Sequence, residues 1–368
     1  MTTPLRRVAV FVPTMHGGGA ERAMLMFCRE LLRLGFRVDL LTVSFEGPLR
    51  ELIPQGISGV DLRSRKATLA VFKLVSYLRR QRPLALYSTI SNANVVASLA
   101  GKLAGASTKT IVRESNAPLS TPKNTLSRWV TFKAAPYAYR LSHGVIAVSN
   151  GVAHELEMLA PHLSKKMRVI ATPVISDEVL AQGAEAVDHP WFRHHDKPII
   201  LGAARLEPHK GLLSVVRAFS KVRVDKDARL VILGEGTQQQ RLELEVERLG
   251  LQEHVALLGF QKNPFAFMSK ANAFVLASEF EGLPNVLIQA MAFGTPIVST
   301  DCKSGPAEIL EGGRLGTLVP VHDEDALAQG MLHALSLPRQ HEAMAHARVT
   351  YGAQRAAEAY LAMAGLRA

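Results

Sequence analysis

Two short stretches hold the residue types that could do chemistry. In Glu281-Gly-Leu-Pro-Asn-Val-Leu-Ile-Gln-Ala-Met-Ala292 a carboxylate stands where a strand ends and a helix begins. Ala273-Phe-Val-Leu-Ala-Ser278 reads as the strand before it, and Pro296-Ile-Val-Ser-Thr300 as the strand after its helix. In open parallel sheets such turns lie at the carboxyl ends of strands, where ligands bind. Gly282, Pro284 and Asn285 open the helix. Gly lets a ligand approach the backbone, and Pro suits the first helical turn. The free amides there form a site for phosphate. An acid beside an anion hole is what a phosphate-bearing sugar would require.

The complement lies upstream, in Gly202-Ala-Ala-Arg205-Leu-Glu-Pro-His-Lys210-Gly211. A strand from Pro198 to Ala203 runs into this loop, and a helix follows from about Leu212. Arg can bridge phosphate oxygens with two donors, and Lys adds a point charge. Either cation alone would read as solvated surface. Together at a strand-to-helix loop, and matched by the acidic turn, they read as a phosphate site.

Two glycine loops need separate treatment. Met15-His-Gly-Gly-Gly-Ala-Glu-Arg22 follows a first strand and opens a helix, yet Arg22 stands where a dinucleotide fingerprint needs its third glycine. Leu233-Gly-Glu-Gly-Thr-Gln238 lacks that glycine too. Each is either a tight turn or a close approach to a ligand. Thr300-Asp301 is not an Asp-x-Asp metal motif, so no divalent ion and no cofactor is expected.

The elements that must position these residues alternate in type. The first half offers strands at Val8–Pro13, Arg37–Val43, Ala85–Thr89, Thr110–Arg113 and Gly144–Val148, the last ending in an Asn150-Gly151 turn. Helical patterns fall near Ala20–Leu34, Leu69–Arg80 and Asn94–Ala104. The second half offers strands at Ile199–Ala203, Leu230–Leu233, Val255–Leu258, Phe274–Ala277, Ile297–Thr300 and Thr317–Val319. Apolar runs separated by helices imply an α/β fold of two doubly wound halves, each a parallel sheet covered on both faces. Residues 173–197, with Pro173, Gly183 and Pro190, read as a linker between domains at 1–172 and 198–340.

These residues resemble the retaining glycosyltransferases of the GT-B fold, family 4, which include bacterial lipopolysaccharide, capsule and mannosyl transferases. The resemblance is densest from Ile199 to Val319, through the two stretches above and Leu233-Gly-Glu-Gly236, Leu257-Leu-Gly-Phe260 and Ser304-Gly-Pro-Ala-Glu-Ile309. It returns at Gly17-Gly-Gly-Ala-Glu-Arg22. It implies two Rossmann-like domains facing a central cleft, the first binding acceptor and the second the nucleotide sugar. A last helix, His341–Met363 within 341–368, would pack back on the first domain. Gly18 and Gly19 would face the donor diphosphate. Arg205 and Lys210 would hold that diphosphate, with Gly259, Gly282, Leu283, Pro284 and Asn285 lining the donor. The donor phosphate itself would take the acceptor's proton, and Glu281 would orient a sugar hydroxyl rather than act as nucleophile. Two departures stand out. The family's second carboxylate, placed to hold the ribose, is Gln289 here. The family's acceptor-side His is absent near Arg113-Glu-Ser-Asn116, leaving His16 as a nearby candidate.

Composition bounds the partners. A chain of 368 residues suits two domains, and 48% hydrophobic with 20% charged residues describes a globular protein. Cys28 and Cys302 alone make no disulfide framework. Val8–Pro13 is too short for a signal peptide's apolar region, so a cytoplasmic location is expected. Residues 1–196 hold 25 of the 43 Lys and Arg and 14 of the 32 Asp and Glu, which places the whole formal excess of +11 there. No zinc-finger spacing, aromatic RNA signature or basic tail points to nucleic acid. Arg63-Ser-Arg-Lys66, Arg79-Arg-Gln-Arg82 and the segment Pro122 to Arg140 mix cations with Trp129, Phe132, Tyr137 and Tyr139. They fit peripheral contact with an anionic membrane at its inner face, or equally an ordinary solvated helix. The expected activity is transfer from a nucleotide sugar, a UDP-sugar, to a glycan or polyprenyl-linked acceptor. Its rivals are a nucleotide-sugar epimerase, which would act without acceptor, and a non-catalytic nucleotide-sugar or membrane-binding protein.

Overall fold

The computed structural model describes residues 6–16, 18–64, 69–119, 134–194 and 196–368. They form two compact units, Met1–Pro173 with Ala353–Ala368, and Val174–Gly352. The first unit carries β1 (Arg7–Val12), β2 (Arg37–Thr42), β3 (Ser58–Asp61), β4 (Ala85–Thr89), β5 (Lys109–Glu114), β6 (Gly144–Ala147) and β7 (Met167–Val169). Their order in the sheet is 3-2-1-4-5-6-7, parallel throughout. The second carries β8 (Ile199–Ala203), β9 (Arg229–Leu233), β10 (Val255–Leu257), β11 (Ala273–Leu276), β12 (Ile297–Thr300) and β13 (Thr317–Val319). These lie in the order 10-9-8-11-12-13 and are also parallel. Two Rossmann-like parallel α/β units of this kind are the GT-B class. Helices on both faces explain why β4 and β8 are buried along their whole length.

Strand order reverses once in each sheet, between β1 and β4 in the first and between β8 and β11 in the second. Ligands bind outside the carboxyl ends of strands at such switch points. The Gly18-Gly19 loop leaves β1 at the first of them. The Arg205 and Glu281 loops leave β8 and β11 at the second.

In the second unit the helix Leu212–Asp225 buries Val215, Val216, Phe219 and Val222, in one cluster with Leu327, Met331 and Ala334 of the helix Glu324–Ser336. In the first unit the helix Ala353–Met363 brings Tyr360 against Phe27 and, through it, Tyr87. The Phe27 ring centroid lies 5.0 Å from Tyr360 and 4.9 Å from Tyr87. The Tyr87 hydroxyl donates to the Tyr360 carbonyl at 2.9 Å. Arg113, 2% exposed, donates to the Tyr360 hydroxyl at 3.0 Å, to Thr89 at 2.9 Å and to Thr172 at 2.7 Å. A buried ring of this size contributes roughly 1.5–3 kcal/mol.

Several expectations need correction. The last helix is two, His341–Thr350 in the second unit and Ala353–Met363 in the first. Tyr351 and Gly352 interrupt it because Ile175 pairs with them, its amide donating to the Tyr351 carbonyl at 3.3 Å. The segment 173–197, expected as a linker, carries helices Asp177–Ala184 and Pro190–His194. It packs on the second unit: Asn263 donates to the Gln182 carbonyl at 2.9 Å, and a Cβ at Gly183 would meet the Phe293 ring at 2.2 Å. At Asn150-Gly151 the chain enters the helix Asn150–Leu159, whose Val152 amide is capped by Ser149 Oγ.

Candidate functional site

At the second switch point the main chain leaving β8 presses on that leaving β11. Gly211 has φ +65°, and a Cβ there would stand 2.0 Å from the Ala277 carbonyl oxygen. Only glycine fits such an approach. The turn Pro208–Lys210 therefore lies against the β11 loop, and Lys210 Nζ reaches Glu281 Oε1 at 2.7 Å. Their side chains are 16% and 11% exposed, so water screens the pair only in part. Ser278 Oγ donates to the same carboxylate oxygen at 2.7 Å. Thr300 Oγ1, from the end of β12, donates to the Ser278 carbonyl at 2.7 Å. Glu281 is thus fixed by two donors, one of them braced from a third strand.

Arg205 is exposed, and its guanidinium meets no carboxylate among the described residues. Its loop is held from below by the Gly234-Glu-Gly236 turn. The Leu206 amide donates to the Glu235 carbonyl at 2.9 Å, and the Gln238 amide to the Leu206 carbonyl at 2.8 Å. A Cβ at Gly234 would stand 1.8 Å from the Ala204 carbonyl oxygen, and one at Gly236 2.5 Å from that of Leu206. Both glycines serve backbone packing that presents Arg205. Gly259 has φ +65° and accepts from the Gly234 amide at 2.8 Å, which extends the same support.

Gly282, Leu283 and Pro284 are buried, and Pro284 precedes the helix Asn285–Met291. Gly305, at φ +91°, lies beneath them, where a Cβ would meet Pro284 Cδ at 2.5 Å. Asn285 is half-buried, and Gln289 is 4% exposed on that helix. Beside the ion pair, the rings of His209 and Phe280 stack. Burial, Lys210 and Arg205 push the His209 imidazole down to about 4, against Glu281 and Glu207, so it is neutral near pH 7. Cys302, buried close by, is pushed up to about 12 by burial and by Glu281.

The second unit thus brings together Arg205, Lys210, Glu281, Gly282, Leu283, Pro284, Asn285 and Gln289, with Gly259 under the Arg205 loop. Gly18 and Gly19 belong to the first unit, where Gly18 sits against the buried Glu21: a Cβ there would stand 2.1 Å from Glu21 Oε2. His16 is exposed in the same loop. Arg113 and Glu114 are both buried. Glu114 accepts from Tyr139 at 2.5 Å and from Ser91 at 3.0 Å, and burial raises its carboxyl above the usual range. Tyr139, expected among interfacial aromatics, is therefore a buried partner of Glu114. Tyr137 and Arg140 are exposed. Arg65, Lys66, Lys123, Arg128, Trp129, Phe132 and Lys133 lie outside the described residues. Sequence reasoning missed Ser278 and Thr300 as supports. Their one sequence signal is a hydroxyl at the end of an apolar strand.

The family model described as "Glycosyl transferases group 1" matches residues 185–350, and "Glycosyltransferase Family 4" matches residues 17–178. An uncharacterized glycosyltransferase of Methanocaldococcus jannaschii is 32% identical over 205 residues, which is 55% of this chain and 50% of that protein. The chain thus aligns with about half the length of that relative. An N-acetylgalactosaminyltransferase of Campylobacter jejuni, named as acting on a diphospho-undecaprenol glycan, is 28% identical over 89% of both chains. Among solved structures, a glycosyltransferase from Rickettsia africae superposes with TM-score 0.78 at 18% identity, covering 98% of each chain. The Anabaena protein HepE, solved with UDP, gives 0.74 at 17% identity over 98% of this chain and 99% of that one.

Proposed function

We propose that the chain is a glycosyltransferase joining a family 4 domain to a group 1 domain, and that it moves a sugar from a UDP-sugar to a glycan or lipid-linked glycan, with retention and without a metal. The observation that carries this reading is the Lys210–Glu281 pair at the second switch point, with Arg205 exposed beside it. Glycosyl transfer develops an oxocarbenium-like sugar and a departing diphosphate. Arg205 and Lys210 stabilise the charge growing on that leaving group, which is the work a divalent ion would otherwise do. Glu281 is held through one oxygen by Lys210 and Ser278, and in this reading its second oxygen orients a donor-sugar hydroxyl. The leaving phosphate takes the acceptor's proton. UDP complexes of the Anabaena protein support the base, and the undecaprenol-linked substrate named for the Campylobacter relative supports the acceptor class. The positive first half supports work beside an anionic membrane.

A panel of nucleotide sugars tests the reading. Wild-type protein is expected to hydrolyse a UDP-sugar slowly, to transfer faster with a polyprenyl-linked glycan, and to keep its rate under a chelator. An inverted product anomer by proton NMR, or strict metal dependence, sinks the mechanism.

A further inference from the structure

His209 and Phe280 stand one position before Lys210 and Glu281 on their respective loops. Their ring centroids are 4.6 Å apart and their planes 16° from parallel. The main chain repeats the contact, the Glu279 amide donating to the His209 carbonyl at 2.9 Å. Phe280 also bridges to Lys303 on the turn after β12. The ring pair therefore ties the β8 loop to the β11 loop, while the Phe280 main chain joins a third. The next residue along each loop makes the ion pair, so the spacing of the rings and the spacing of the charges are set together.

The chemistry of the ring suits this place. A protonated imidazole here would put a third cation beside Arg205 and Lys210 and compete for Glu281. The neutral ring instead offers a flat, polarizable face to Phe280. An aliphatic side chain would fill the volume without fixing the plane.

We propose that His209 is a positioning residue of the diphosphate site: stacked on Phe280, its ring fixes the two loops at the separation from which Lys210 reaches both Glu281 and the donor. This rests on the glycosyl-transfer reading above. The competing idea is that the imidazole nitrogens bind substrate directly.

Three proteins decide between them: wild type, His209→Ala and His209→Phe. The phenylalanine keeps a flat ring and lacks both nitrogens. UDP is the probe, titrated calorimetrically, with donor kcat and KM and a thermal melt alongside. Aromatic pairs contribute about 0.5–1.5 kcal/mol, so His209→Ala is expected to weaken UDP about two- to tenfold and to lower kcat. His209→Phe is expected to restore both. Loss in both variants overturns the proposal in favour of the nitrogens, and an unchanged His209→Ala overturns it outright. If the alanine protein melts below assay temperature, His209→Leu replaces it with the same expected loss. Crystal structures of the variants give a readout that needs no ligand. The 2.7 Å Lys210–Glu281 contact is expected to open in His209→Ala and persist in His209→Phe. A wild type that binds no UDP would count against the donor reading, while the crystallographic comparison would still decide the role of His209.

Discussion

Arg205 and Lys210 carry the same charge on one loop, yet their surroundings predict different mutants. Arg205 is exposed and touches no described carboxylate, so Arg205→Ala removes a ligand contact and little else. Its UDP affinity is expected to fall about 10- to 100-fold, as for a lost charged hydrogen bond of about 1.5–3 kcal/mol, with an unchanged melting temperature. Lys210→Ala leaves the Glu281 carboxylate without its cation, so affinity and stability should fall together, the latter by about 1–3 kcal/mol. Equal melting temperatures in the two variants would show that the pair does not hold the site. Glu281→Gln keeps the volume and the Ser278 contact, so kcat should drop while calorimetric UDP affinity stays near wild type. His209 adds a pH signature. Its folded value of about 4 lies below the ordinary 6.5, so folding favours the neutral ring. That contribution is whole above pH 6.5 and is lost as pH falls through 4. Lys210 and Arg205 deepen the shift, and Glu281 and Glu207 oppose it. Between pH 6.5 and 4 the melting temperature of wild type should therefore fall more than that of His209→Phe; parallel curves would exclude the effect. At this scale the charged residues were readable, because Gly and Pro punctuate the turns that carry them. Ser278, Thr300, His209 and Phe280 were not, since their partners become neighbours only when β8, β11 and β12 align.

Among elements, the two loops of the second switch point are set by glycine geometry. Gly211 and Gly312 share nearly the same φ, +65° and +66°, but a Cβ at Gly211 would overlap the Ala277 carbonyl while nothing lies within 4 Å at Gly312. Gly312→Ala should cost only the left-handed conformation, about 1 kcal/mol. Gly211→Ala must also push the β8 loop off β11, so it should destabilise at least twice as much and weaken UDP binding. Urea melts of both variants measure the difference, and equal losses would remove close approach as the reason for Gly211. The buried strands were readable from sequence because helices on both faces make each a run of apolar residues. The edge strands β3 and β7 were not, being short and partly exposed, with no run to mark them. The break at Tyr351-Gly352 escaped notice for a related reason. It depends on pairing with Ile175, far away in sequence, and the alanine-rich helical pattern continues across it.

Over the whole molecule, charge is the property that composition reports and fold does not. The formal excess of +11 falls within residues 1–196, and the remainder is neutral. No helix among the described residues is long and apolar enough to cross a membrane. Attachment driven by charge should then show two properties together. It should prefer vesicles containing anionic lipid over neutral ones. It should also weaken as salt shortens the Debye length from about 10 Å at 0.1 M toward about 3 Å at 1 M. A basic residue near such a surface contributes about 1 kcal/mol. Changing Lys123, Arg128 and Lys133 together to Ser removes three of them, enough to shift most of the protein from pellet to supernatant in co-sedimentation. UDP affinity should be unaffected, because Arg205, Lys210 and Glu281 lie in the other unit. Vesicle binding that ignores lipid charge, or that survives the triple change, would assign these cations to solvent and leave the acceptor to be delivered some other way.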